Sequence, residues 1–314
     1  MPRIFTSNFS GLANRLEGLT LSFAIQKAYG HDIYLDWPEL DAFDVTGASR
    51  RKMRPWNRIG SLKLSTCDDA QFQTLGRYRT ILQRVIYTPP VTQPFYLETA
   101  RRIRPHEPYI NTLEQTFAPF RGRPVVGVHI RGGDFALVDE QTYDITRARH
   151  QAVPMWWYEH VMRQYRSAFP DVAFLLCHSG DPARFAAWRQ EFDTFELPVD
   201  SSFQVRSEHQ SASHPIADLF ALACCNVIIA TPNSSFSHFA ANALGHPAIS
   251  ILPPPQMSAL QPRFGMVQLY GQRLRKWVGA VSNGEVFRLA ADNDLPVPQP
   301  AHTEWLRDPT FLPA

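Results

Sequence analysis

Short apolar, β-branched runs at residues 3–6, 32–36, 125–130, 172–176, 227–230 and 248–252 alternate with segments of helical period, and this alternation constrains the fold more than any other feature. Strands spaced this way pair in parallel, because a parallel neighbour can be reached only through a crossover, usually a helix. The helical segments fall at 12–28, 155–167, 183–192, 217–223 and 235–244, with Gly30 placed where a helix C-terminus favours glycine. Between about 45 and 120 the pattern loosens into polar, Arg- and Pro-containing sequence, and a strong strand opens after Arg121–Pro124. At roughly 150 residues per domain, 314 residues make two domains. The expected organisation is an α/β domain over 1–120, a Rossmann-like α/β domain over 121–265 and a Pro-rich wrapping segment over 266–314.

Composition matters here for what it excludes. Apolar residues make up 44% and charged residues 19%, so the chain folds rather than staying disordered. A net charge of +2 leaves no excess for an extended nucleic-acid or polybasic membrane surface. Among 31 cationic residues only Lys27, Lys52, Lys63 and Lys276 are lysines. That skew is either compositional bias or a sign of bidentate oxyanion binding, for which arginine is suited. Four cysteines, Cys67, Cys177, Cys224 and Cys225, form neither a disulfide framework nor a zinc pattern. With no apolar leader and no run near the ~20 residues of a membrane span, the expectation is a soluble cytoplasmic protein without an integral membrane segment.

Four strings can carry chemistry. Gly11-Leu12-Ala13-Asn14-Arg15 opens the first helix directly after the first strand, so unpaired N–H groups and the helix dipole form an anion cradle there, or Gly11 simply turns the chain and Asn14 caps. In Val125–Asp134, His129 and Arg131 share one face at the carboxyl end of a strand, followed by Gly132, Gly133 and Asp134. Ligands bind at such strand ends. Arg131 fits either a diphosphate or a structural ion pair, and His129 either a ligand or a satisfied core position. The string Asn233-Ser234-Ser235-Phe236-Ser237 follows the strand at 227–230 and supplies more polar groups than one helix cap needs. Upstream, Asp218 either caps its helix or accepts from a guanine edge. Finally, Ser179-Gly180-Asp181-Pro182 is a strand-to-helix turn in which Asp181 precedes a proline, an N-cap pattern. The triplet Asp292-Asn293-Asp294 follows no strand, and no metal site is read from it.

Taken in order, these strings resemble the inverting GDP-fucose-dependent fucosyltransferase superfamily, which joins α-1,2-, α-1,6- and protein O-fucosyltransferases. Asn233–Ser237 looks most like the α-1,2 branch. The resemblance covers the second half of the chain and the Gly11–Arg15 string. It implies a GT-B-like fold of two Rossmann-like domains facing across a cleft, the donor held by the second and the acceptor by the first. It implies a GDP-sugar donor, a glycan acceptor and no required cofactor or metal. It places Arg131, Ser234 and Ser235 on the diphosphate, with Phe236 in the same string, His129 and Asp218 near the guanosine, and Asn14 near the phosphate or fucose. Asp134, Ser179, Asp181, Gly11 and Arg15 complete the candidate donor set. The α-1,6 relatives carry a carboxylate ten residues after the motif histidine; here that position is Asp139, followed by Glu140, and either acid is a candidate general base or a solvated loop residue. Three positions depart from the pattern: Gly180 stands for an aspartate, Gly132 for a second arginine, and His238-Phe239 for a Trp-Trp pair. A transferase using another nucleotide sugar, or a non-catalytic nucleotide-sugar or glycan-binding module, is the alternative reading.

Overall fold

The structure, a computed structural model, describes residues 1–86, 88–132, 135–148, 150–179, 181–200, 213–268, 287–290 and 295–312. It divides into two compact units, Met1–His106 and Glu107–Ala314. The boundary therefore falls before the expected 120/121. The helix Glu107–Phe117 belongs to the second unit, where Arg307 bonds Glu107, Glu114 and Asn111 along it. Tyr109 on the same helix donates to Asp200 at 3.0 Å.

The first unit is built on a five-stranded sheet in the order Ala48–Arg50, Asp32–Asp36, Arg3–Ser7, Thr80–Gln83, Leu62–Leu64. Every pairing in it is parallel. Its long helix, Leu12–Tyr29, is buried along almost all of its first fourteen residues, Leu12 to Ile25, so polar Thr20 and Ser22 are inside as well. Gly30 ends it in the left-handed region at φ 70°, donating to Gln26 O, a conformation that disfavours residues with a Cβ.

The second unit carries a seven-stranded sheet in the order Thr194–Phe195, Ala173–His178, Val125–Ile130, Val227–Ile229, Ile249–Leu252, Gly265–Gln268, Phe287–Ala290. The first five strands are parallel and the last two antiparallel. Strand Val125–Ile130 is wholly buried. Its alternation sends Val126, Val128 and Ile130 into a core with Trp157, Tyr158, Val161 and Tyr165 of helix Met155–Ala168. Gly127 and His129 face the other side, where Leu222 and Cys225 lie over Gly127 at the end of helix Pro215–Ala223. The segment after residue 294 lies against this unit. Val125 N–H donates to Gln299 O at 2.9 Å, Asn226 holds Val297 and Gln299, and Trp305, 2% exposed, stacks on Phe220. Among the described residues no helix is long and apolar enough to cross a membrane.

Candidate functional site

Three adjacent parallel strands in the second unit end together, in the register Cys177↔His129 and Ile229↔Val128. Parallel pairing requires their carboxyl ends to share one edge, so the segments beginning at Arg131, Ser179 and Thr231 emerge side by side. Two contacts join them. Gly132 N–H donates to Ser179 Oγ at 2.8 Å, and Ser179 N–H donates to Ile130 O at 3.1 Å. A Cβ on residue 132 would stand 2.7 Å from Ser179 O, so the close approach that demands glycine here is between two strand ends.

On the other side Thr231, 2% exposed, joins the two strands through one hydroxyl. Its Oγ1 donates to His129 O at 2.9 Å and accepts Arg131 N–H at 3.0 Å. With its proton committed to His129 O, it accepts from Tyr158 Oη, 2.9 Å away. Burial pushes the Tyr158 phenol up, which keeps it a donor. Thr231 stands in the string that follows the apolar run at 227–230 but was given no role of its own, and Tyr158, among the aromatic residues of its helix, carried no signal in the sequence.

His129 is 5% exposed, and its ring stacks on Phe236 at 5.2 Å with 23° between planes. Burial, reinforced by the nearby Arg131 charge, pushes the imidazole down to about 3, so it is neutral at physiological pH. Its Nδ1 is buried without a hydrogen-bond partner. An orphaned buried nitrogen costs free energy that a ligand hydrogen bond would recover. Arg131 is half-buried at the strand end. Asn233 adopts φ 60°, a left-handed conformation that asparagine tolerates better than most residues. Ser234 and Ser235 follow where helix Ser235–Phe239 begins, and Ser234 makes no side-chain cap bond.

Asp218 is 4% exposed and accepts from Ser213 Oγ at 2.6 Å. It does not cap its helix: His214 Nδ1 does, accepting from Ile216 N. Cys177 Sγ bonds Asp218 O at 3.7 Å, placing that helix turn beside the strand residue paired with His129. Asp181 is an exposed N-cap, accepting from Ala183 N at 2.9 Å. Asp139 accepts from Gln141 N–H and from the hydroxyl and N–H of Thr142. These bonds, Gln141's first and Thr142's next, hold its carboxyl below the usual carboxylate range, with the Arg147 charge adding to them. Glu140 is exposed, and its carbonyl accepts from Trp156 Nε1 at 2.8 Å. Asp134 and Gly133 lie outside the described residues, as do Gly180 and Asp292-Asn293-Asp294.

The Gly11–Arg15 string sits in the first unit. Gly11 precedes helix Leu12–Tyr29, with open space where a Cβ would stand. Asn14 donates to Ser10 Oγ at 2.9 Å. Arg15, an expected ligand donor, instead faces inward: it forms a two-point ion pair with Glu39, donates to Ser10 O, and lies over the Trp37 ring. With side-chain exposures of 2% and 7%, the Arg15–Glu39 pair is a buried structural element. Among the described residues no group of three or more His, Cys, Asp or Glu is arranged to hold a metal ion.

No family model matches the sequence, and no curated protein matches it. Among solved structures the chain is similar to the fucosyltransferase NodZ from Bradyrhizobium, with a TM-score of 0.52 at 15% identity over 82% of this chain and 99% of that one. It is also similar to NodZ alpha-1,6-fucosyltransferase soaked with GDP-fucose, at TM-score 0.51 and 16% identity, and to the form co-crystallized with GDP, at 0.51 and 15%; both cover 82% of this chain and 99% of that one. At these identities the likeness fixes the architecture: an α/β, GT-B-like fold.

Proposed function

We propose that this protein is an inverting glycosyltransferase that moves L-fucose from GDP-L-fucose to a hydroxyl of a glycan acceptor, giving an α-fucoside. The observation that carries the reading is the convergence of His129, Arg131, Ser179, Thr231 and Ser234 at one carboxyl edge of adjacent parallel strands, with an unpartnered buried imidazole nitrogen among them. Support comes from an architecture shared with NodZ structures prepared with GDP and with GDP-fucose. Arg131 and the turn at Asn233–Ser235 meet the diphosphate, Phe236 and His129 line the guanosine side with Asp218, and Asn14 is kept as a proposed donor-binding residue. Asp134 orients the phosphates, and Ser179 and Asp181 shape the edge. In one displacement the acceptor oxygen bonds to the anomeric carbon while the carbon–phosphate oxygen bond breaks, and GDP leaves with the electron pair. The leaving charge is met by the guanidinium and backbone N–H groups without calling on a cofactor. The proposal takes the protein to be cytoplasmic, a reading supported by four cysteines whose number and spacing form no disulfide framework.

Nucleotide release from a donor panel, with a set of glycan acceptors, tests this. GDP-L-fucose is expected to be consumed about 10²-fold faster than GDP-mannose or a UDP-sugar. Turnover of another donor and not of GDP-L-fucose overturns the donor assignment. GDP binding with no transfer to any acceptor makes the protein a binding module. The linkage of the product, by NMR, decides the α-1,2 branch suggested by Asn233–Ser237 against an α-1,6 product.

Asp139 is proposed to take the hydroxyl proton, with Glu140 beside it. Because its carboxyl is held low, it stays ionised below the ordinary carboxylate range, and turnover is expected to fall only at correspondingly acid pH. Asp139→Asn should cut turnover by about 10²-fold and remove that acid limb while GDP affinity is kept. Unchanged turnover takes Asp139 out of the mechanism.

A further inference from the structure

The first unit contains a cavity of about 650 Å³ at the carboxyl edge of its own parallel sheet. Ser7, Asp36 and Arg50 end three of the strands and Arg84 follows a fourth, so the lining is assembled by the sheet itself. Its charge is lopsided. Arg50, Lys52, Arg58 and Arg84 line it against a single carboxylate, Asp36, which already accepts Met53 N–H at 2.9 Å. Arg50 pairs with Asp41, but among the described residues Lys52, Arg58 and Arg84 have no ion-pair partner. In a chain whose net charge is only +2, this is a local concentration of positive potential in a concave site, where field lines focus on an anion.

We infer that this cavity binds an anionic group, a carboxylate, sulfate or phosphate, carried by the carbohydrate acceptor. The carbohydrate half of that statement rests on the glycosyltransferase reading; the anionic half rests on the cavity. The volume suits one or two sugar rings, lying within the roughly 300–1,000 Å³ of small-molecule sites. Trp37 forms an apolar part of the wall. Trp56, 58% exposed, lies in the same short turn as Arg58, with Arg54 held over its ring at 5.1 Å. A flat, rigid aromatic face suits the C–H face of a pyranose. A nucleic acid would require a row of cations matched to successive phosphates, and three unpaired cations in one cavity do not provide it.

Calorimetric titration of the full chain at low salt tests the inference, with trigalacturonate and 6-O-sulfated and 6-O-phosphorylated chitotriose compared with uncharged galactotriose and chitotriose. At least one acidic sugar is expected to bind about tenfold more tightly than its neutral counterpart, and the member that does so identifies the anion. The difference should shrink with added salt. It should also vanish in the triple variant Lys52→Gln, Arg58→Gln, Arg84→Gln, whose three sites are solvent-exposed, while GDP affinity is unchanged. Equal binding of acidic and neutral sugars overturns the inference, as does a triple variant that keeps the preference. Inorganic sulfate binding as tightly as the best acidic sugar would reduce the cavity to a simple anion site. A short RNA oligomer binding more tightly than any sugar would replace carbohydrate with nucleic acid. Failure of the wild type to bind GDP defeats the donor assignment and leaves the charge preference readable.

Discussion

Replacing Arg131 with alanine is expected to lower GDP-L-fucose turnover by about 10²–10³-fold and to weaken GDP binding with it. The residue follows directly on a buried strand, and its backbone N–H is held by Thr231 Oγ1 at 3.0 Å, so the root of the side chain is fixed by the sheet. Its charge lies close enough to the His129 ring to help hold that imidazole neutral. In the proposed displacement negative charge on the diphosphate grows toward the transition state, so a positioned guanidinium stabilises the transition state more than bound substrate. Turnover should therefore fall further than affinity. Arg131→Lys should recover only part of the loss, because an ammonium supplies charge without the two-pronged geometry. GDP calorimetry and steady-state turnover on the three proteins check this; an alanine variant with wild-type GDP affinity removes Arg131 from the donor site.

Where burial is complete and the chain is regular, sequence and structure agree closely. The strand at 125–130 matches residue for residue, because six consecutive buried positions leave an unbroken apolar run. Strand Thr80–Gln83 is just as buried, yet only four residues long between Arg77–Arg79 and Arg84, too short to register as a period. The unit boundary was hidden for another reason. Helix Glu107–Phe117 looks like a continuation of the mixed segment before it, and its ties to residues far away in sequence, Asp200 and Arg307 among them, go with its place in the second unit. Side-chain partners at long range are equally illegible. Arg15 presents a cation beside a helix start, but its meaning depends on Glu39, which the fold brings against it. Conversely, the string around His129 and Arg131 was readable because strand polarity alone dictates that its carboxyl end meets those of its parallel neighbours.

Thr231→Val is expected to destabilise the second unit by about 2–3 kcal/mol and to weaken GDP binding, although the residue carries no charge and touches no proposed reacting atom. Valine keeps the shape and removes the hydroxyl, so no cavity opens and the effect is one of hydrogen bonding. His129 O loses its donor at 2.9 Å and Arg131 N–H its acceptor at 3.0 Å, both against a side chain only 2% exposed, where water cannot readily substitute. Tyr158 Oη, 3.4 Å from His129 O, can take over part of the first bond, which keeps the loss below that of three abandoned groups. The second bond, which holds the Arg131 N–H, goes with the hydroxyl. Thr231 is thus a positioning residue, and Thr231→Ser, which retains the hydroxyl, should restore GDP affinity even where the missing methyl leaves some instability. Denaturant unfolding and GDP calorimetry well below the melting transition separate the two effects. Lost stability with wild-type GDP affinity confines Thr231 to strand packing, and a valine variant as stable as wild type denies that the hydroxyl ties the two strand ends together.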